Sequence, residues 1–314
     1  MQASRQQSCC LSWFPPCPRF GRVNDLSIVD ASGWDVDLLE PGGSDANVWL
    51  IDPETQGRAL FKPVVAKQNR RQGEDWSEKA VEQIAALIGV PTARIRMARR
   101  NGRSGLLSYD LAEGCELHTG AVLIGEIDSR LVPRARERLG HNLDNIHRVL
   151  APLSAAAIGG DGLTAFDQFC GYLVLDALVA NRDRHEENWG VLRDRSGRLT
   201  LAPSFDHGNS LAFNVTDDYR HRQLDHDPFL TSWSQRGSAD RFEGGREVTL
   251  VDFAHQALRL ATSGCTDLWL GRLNDIGSQG WASAIEPVPE MSEVCRTFCL
   301  QLLSTNQRRL LRVA

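Results

Sequence analysis

Asp183 and Asn188 stand five residues apart in Asn181-Arg182-Asp183-Arg184-His185-Glu186-Glu187-Asn188. A second carboxylate, Asp206, follows in Phe205-Asp206-His207-Gly208, just after the strand-like run Leu199-Thr200-Leu201-Ala202. These are the residue types that phosphoryl transfer asks of a protein. The reaction needs a carboxylate to orient the attacking hydroxyl and a divalent cation to neutralise the phosphate oxygens, and little covalent chemistry. Mg²⁺ takes hard oxygen ligands and needs only one or two carboxylates beside phosphates and water. On this reading Asp183 is the base, Asn188 and Asp206 are the metal ligands, and ATP with Mg²⁺ (or Mn²⁺) is implied. The bland alternative makes Asp183 and Asn188 ordinary loop residues and Asp206 a turn or cap. An Asp-x-x-x-x-Asn pair alone is a frequent accident at average composition, so the argument rests on the joint pattern.

The surrounding elements suit that placement. Phe166 to Ala180 carries apolar residues at helical spacing, with Leu175, Leu178 and Val179 adding further apolar faces, which predicts a largely buried helix anchoring the catalytic loop. Trp189-Gly190-Val191-Leu192 and Leu199-Thr200-Leu201 flank the turn signal Asp194-Arg195-Ser196-Gly197 and predict a hairpin. Asn188 and Asp206 bracket it, so its open end brings them together.

With these residues in view, the stretch resembles the catalytic core of the HipA-like serine/threonine kinases, which share a distant architecture with the phosphatidylinositol 3/4-kinases. Both groups place His after the catalytic Asp, as Asp183-Arg184-His185 does, and this assigns His185 to the catalytic set. Such families show a small residue after the metal-binding Asp, where this chain has His207 before Gly208. The resemblance implies an α+β, bilobed protein-kinase-like fold with a small β-rich N-lobe and a larger, mostly helical C-lobe. It also implies transfer of the ATP γ-phosphate to a Ser or Thr hydroxyl of a protein.

The N-terminal half should then supply a phosphate lysine, its glutamate and a loop over the phosphates. The chain holds three Lys (Lys62, Lys67, Lys79) against thirty-two Arg, so each Lys invites a reason. Lys62, in Ala59-Leu60-Phe61-Lys62-Pro63, resembles the family's strand lysine, and a compact ammonium suits a point contact with phosphate. A helix is predicted from Ser77 as cap to Gly89, with Pro91 beyond. Its Ser-Glu opening resembles the family helix and makes Glu78 the expected partner of Lys62, with Glu82 as rival; otherwise Glu78 is a first-turn carboxylate favoured by the helix dipole. Pro41-Gly42-Gly43-Ser44-Asp45-Ala46 could form a backbone nest around phosphates, or an ordinary hairpin turn. Because some HipA-like kinases are regulated by phosphorylated serines in this loop, Ser44 is a candidate regulatory site. From chain order, the backbone of Ser108, Tyr109 and Asp110 should form the hinge facing adenine.

At 314 residues and 42% hydrophobic, the chain can bury one or two sizeable cores. Residues 1–24 read as an unstructured segment, 25–110 as the N-lobe and 111–314 as the C-lobe. No apolar run is long enough to span a bilayer, no convincing signal-peptide region opens the chain, and a net charge of −5 leaves no electrostatic footprint for nucleic acid, so a cytoplasmic enzyme free of membrane and nucleic acid is expected. The eight Cys show no paired C-x-x-C and read as reduced thiols. His221 and His226 read as solvated. The polar, aromatic-spotted segment from Asn214 to Arg246 follows Asp206 as an activation segment would. HipA toxins carry an extra N-terminal subdomain that the chain before Gly42 is too short to hold; a small antitoxin-like partner could supply it. Three alternatives to a protein kinase stand beside it: a small-molecule or lipid kinase, a nucleotide-binding scaffold, and a hydrolase using Asp183 and His185. The last lacks a Gly-x-Ser-x-Gly nucleophile motif.

Overall fold

The computed structural model describes residues 25–39, 47–67, 70–155, 162–225, 232 and 234–312. Residues 1–24, Gly42, Gly43, Ser44 and His226 lie outside the described residues. The N-lobe runs β1 (Val29–Asp30), β2 (Asp35–Leu39), β3 (Val48–Ile51), β4 (Arg58–Pro63), a ribbon of β5 (Ala66–Lys67) and β6 (Arg70–Arg71), helix α1 (Glu74–Ile88), β7 (Ile95–Arg100) and β8 (Arg103–Tyr109). Six strands form one sheet in the order β1-β7-β8-β4-β3-β2, antiparallel except for β1 beside β7. Alternation along β4 decides what the lysine can reach. Ala59 and Phe61 enter an outer cluster with Leu50, Ala98 and Leu107, which turns Leu60 and Lys62 to the opposite face. Beside Lys62 the strands approach so closely that a Cβ on Gly105 would come within 2.4 Å of the Lys62 carbonyl oxygen, so only glycine fits there.

Helix α1 begins four residues before the expected start, with Gly73 rather than Ser77 at the N-cap and Glu74 and Asp75 in the first turn. Ser77 is not the cap. It is buried, and its hydroxyl lies 2.9 Å from the Ser210 carbonyl and 3.3 Å from that of His207, tying α1 to the segment after Asp206. The helix ends as expected at Gly89, in the left-handed conformation with φ 71°.

The C-lobe runs β9 (Glu116–Thr119), α2 (Gly120–Gly125), α3 (Leu143–Leu150), α4 (Ala165–Val179), β10 (Gly190–Arg193), β11 (Leu199–Leu201), α5 (Asp217–Leu224), a 3-10 turn at Gly245–Glu247, α6 (Leu250–Leu260), α7 (Cys265–Asn274), α8 (Ser278–Ile285) and α9 (Glu293–Arg312). Helix α4 is buried on every side, its apolar residues reaching all round the helix, and opens on a capping box between Thr164 and Asp167. Helix α9 fastens to its end, where Asn306 Nδ2 donates to the Leu178 carbonyl at 3.0 Å. The hairpin β10–β11 forms as expected, and β9 adds a third strand to it that lay within a region read as mostly helical. Four residues become a strand only because the β10 edge is there to pair with. Helix α5 likewise interrupts the segment read as irregular. It lacks an apolar stripe and is held by its Thr216 cap, two first-turn aspartates and the Arg220–Asp217 ion pair. His221 is exposed on it, as expected. Cys170, Cys265, Cys295 and Cys299 are free and buried. Among the described residues no helix is long and apolar enough to cross a membrane.

Candidate active site

At the candidate site an ion pair crosses between the lobes: Lys62 Nζ on β4 lies 3.0 Å from Asp206 Oδ1. Asp206 sits in the left-handed region with φ 62°, a conformation that costs a non-glycine residue energy and persists where neighbours hold it. The Lys62 ammonium keeps the Asp206 carboxyl below the usual carboxylate range; the side chain is 42% exposed, so burial is the weaker influence. Glu78 requires a correction. Oε1 of Glu78 lies 3.8 Å from His207 Nδ1 and has no hydrogen-bond partner, while the ion pair seen for Lys62 is the one with Asp206. The cause lies in the residue after Asp206. His207 brings an imidazole to the carboxylate where the family pattern has a small side chain, and Gly208 comes next, so close that an added Cβ would sit 3.4 Å from Glu78 Oε2. Glu82 is committed elsewhere, to buried Lys79 at 2.5 Å and to the Ile95 N–H at 2.9 Å.

The candidate catalytic loop, residues 181–188, hangs from the end of α4, whose last turn closes through Ala180 in the left-handed conformation and the Asn181 N–H on the Asp176 carbonyl. Arg184 organises the rest of the loop. Its guanidinium is buried and grips Asp176 with Nε and Nη2 at 2.8 Å each, then donates to the Asn188 carbonyl at 2.7 Å and the Ser204 hydroxyl at 2.9 Å. One side chain thereby fixes the backbone at Asn188 beside the residues leading into Asp206. Asn188 Nδ2 donates to the Asp183 carbonyl at 2.8 Å, so its Oδ1 is the atom left to ligate a cation. The Asp183 carboxylate faces two groups from the chain beyond Asp206: Asn209 Nδ2 donates to Oδ2 at 2.5 Å, and Arg241 Nη2 lies 2.7 Å from Oδ1. The latter contact is close but misaligned, and Asp183 Oδ1 counts no hydrogen bond. His185 Nδ1 accepts the Glu187 N–H at 3.2 Å, and burial pushes the imidazole below its usual range, so the ring is neutral near pH 7.

No group of three or more His, Cys, Asp or Glu side chains among the described residues is placed to hold a metal. A carboxylate and an amide oxygen fit an ion that completes its shell with phosphate and water, as Mg²⁺ does. The expected hinge residues sit at the end of β8. Ser108 lies inside β8, paired on both sides, and the N–H groups of Tyr109 and Asp110 already donate to the carbonyls of Arg94 and Arg58. A 910 Å³ cavity runs along this end of the sheet between Trp49, Arg58, Arg94, Tyr109, Asp110 and Pro203, and Lys62, Asp183, Asn188 and Asp206 do not line it. Between hinge and site, Phe205 and Leu111 pack on Ala93, Ile95 and Leu106.

Residues 38–263, well over half the chain and spanning every site residue above, match the model of the HipA-like C-terminal domain. The chain belongs to that family. A serine/threonine-protein kinase of Helicobacter pylori, CtkA, is 28% identical over 149 residues, a match spanning 46% of this chain and 45% of the relative, less than half its length. The crystal structure of a Helicobacter pylori proinflammatory kinase CtkA superposes with a TM-score of 0.69 at 19% identity, covering 91% of this chain and 96% of that one. A Shewanella oneidensis HipA, solved with HipB and operator DNA, gives 0.53 at 13% identity over 89% of this chain and 66% of that one. These superpositions show the bilobed kinase-like fold.

Several residues that shape this HipA-like site were not singled out from sequence. Asp176 carried a signal: an acid in the apolar second half of α4 needs a buried partner, and Arg184 is that partner. Asn209, Arg241 and His141 carried none, because they reach Asp183 or its neighbours only through the fold.

Proposed function

We propose that the chain is an ATP- and Mg²⁺-dependent protein kinase that phosphorylates a Ser or Thr hydroxyl. The observation that carries this reading is the 3.0 Å contact between Lys62 and Asp206, which joins a strand lysine of one lobe to a metal-type aspartate of the other. Asp183 orients the acceptor hydroxyl and takes its proton. Asn188 Oδ1 and Asp206 would hold the cation, which when bound would neutralise phosphate charge. Lys62 exchanges its contact with Asp206 for the phosphates. Neutral His185 is suited to donate a hydrogen bond from Nε2 rather than to carry charge. Arg184 keeps Asn188 and the approach to Asp206 in register.

The test incubates wild type and Asp183→Asn with Mg²⁺ and γ-labelled ATP, with label followed into the protein and into a cell lysate. Label on Ser or Thr that disappears in the variant is the expected result. ATP binding without label on any protein would overturn the protein-kinase reading in favour of a small-molecule kinase or a scaffold.

A further inference from the structure

Arg241 is built to meet an anion, and it stands at the oxygen where acceptor and phosphoryl group must converge. Its backbone is pinned from three sides. His141 Nδ1–H donates to the Arg241 carbonyl at 2.7 Å, and the same ring accepts Trp189 Nε1–H at 3.1 Å. Phe242 stacks on His141 with centroids 4.4 Å apart, and Arg182 pairs with Asp240 at 3.0 Å. The side chain itself keeps unused donor capacity. It is 37% exposed, its Nε has no hydrogen-bond partner, and its 2.7 Å approach to Asp183 Oδ1 lacks hydrogen-bond alignment. Arg184 on Asp176 shows what a structural pair looks like in this same loop: fork on fork, with its guanidinium nitrogens engaged. A guanidinium with donors to spare, next to a carboxylate that must release one oxygen to a hydroxyl, suits an oxygen-rich ligand that arrives later.

We propose that Arg241 is a catalytic residue on the acceptor side, leaving Asp183 to bind the phosphoryl group in flight. This rests on the kinase reading. In the step, the acceptor O–H proton passes to Asp183, the acceptor oxygen bonds to the γ-phosphorus, the β–γ bridging P–O bond breaks and its electron pair leaves with ADP. Arg241 then faces the equatorial oxygens and, with Lys62, gives the site a second cation.

The test measures affinity of the full chain for Mg·ADP with and without aluminium fluoride, a mimic of the transferring phosphoryl group. Wild type should bind the fluoride complex at least about a hundredfold tighter than Mg·ADP. Arg241→Ala should lose that increment while keeping its Mg·ADP affinity, and Arg241→Lys should keep part of it. Label transfer by Arg241→Ala should fall by about 10²–10³-fold, the size of deleting one preorganised donor at developing charge. Should the alanine variant fold poorly, Arg241→Gln carries the same comparison. An increment retained in these variants, an increment absent from wild type, or an equal loss of Mg·ADP affinity overturns the role of Arg241 while leaving the kinase reading standing. Wild type that binds no nucleotide removes both.

Discussion

Two ion pairs at the candidate site, Arg184–Asp176 and Lys62–Asp206, behave as opposites. Arg184 and Asp176 are each 2% exposed, aligned fork to fork, and surrounded by further hydrogen bonds. Lys62 and Asp206 are 29% and 42% exposed and share one 3.0 Å contact. A buried pair cannot lose a partner without stranding a charge in a low-dielectric interior, whereas an exposed pair exchanges its partner for water, metal or phosphate at little cost. The first pair therefore holds the catalytic loop, and the second can be spent on function. Burial separates scaffold from chemistry here more sharply than residue type does.

The sharpest way to break this contrast is Asp206→Asn. Metal-dependent label transfer should vanish, while urea unfolding should move by no more than about 1 kcal/mol, the ceiling for an exposed pair. Near-normal turnover would remove Asp206 from the mechanism. Asp176→Ala should act the other way, lowering stability by about 3–5 kcal/mol because Arg184 is left buried and uncompensated. Chemical denaturation measures this directly, and a loss below about 1 kcal/mol would show that Arg184 is not the loop's anchor. Lys62→Ala should lower kcat/KM by about 10²-fold with the unfolding midpoint nearly unmoved; unchanged kinetics would move the phosphate contact to another residue.

His141 extends the contrast to pH. Burial pushes its imidazole down to about 4, from an ordinary 6.5. Between those values the unfolded chain binds the proton and the folded one does not, so stability contributed by the neutral ring is complete above 6.5 and declines as pH falls toward 4. The gap corresponds to about 3 kcal/mol. His141→Gln should flatten this part of the stability–pH curve; an identical slope in the variant would assign it to other groups. The smallest expected effect is ionic. Raising salt from about 0.05 to 0.5 M should weaken the Lys62–Asp206 coupling in a double-mutant cycle and leave Arg184–Asp176 unchanged.

Local patterns made much of this molecule legible. The apolar run of α4, the turn between β10 and β11 and the terminating Gly89 are signals carried within a few residues, and each element formed where those signals lie. The start of α1 moved because Ser77 resembles a cap locally but is claimed by the carbonyls of His207 and Ser210, at least 130 residues away. The strand β9 and the helix α5 were missed because their short polar sequences are stabilised by a neighbouring edge and by caps rather than by periodicity.

The candidate site divides the same way. Asp183, Asn188 and Asp206 were singled out because their types and spacing suit phosphoryl transfer, and Lys62 through its resemblance to the family's strand lysine; the fold puts Lys62 on Asp206 and the Asn188 amide on the Asp183 carbonyl. Which carboxylate each cation meets was decided only in three dimensions. Lys62 reaches Asp206 while Glu78 faces His207, and Arg241 reaches Asp183 from 58 residues downstream. Sequence determined the lobes, the buried helix and the chemical parts, since these follow from burial and composition along the chain. Tertiary structure alone decided their pairing, because an ion pair is set by distance and desolvation, and neither is a property of a residue's place in the sequence.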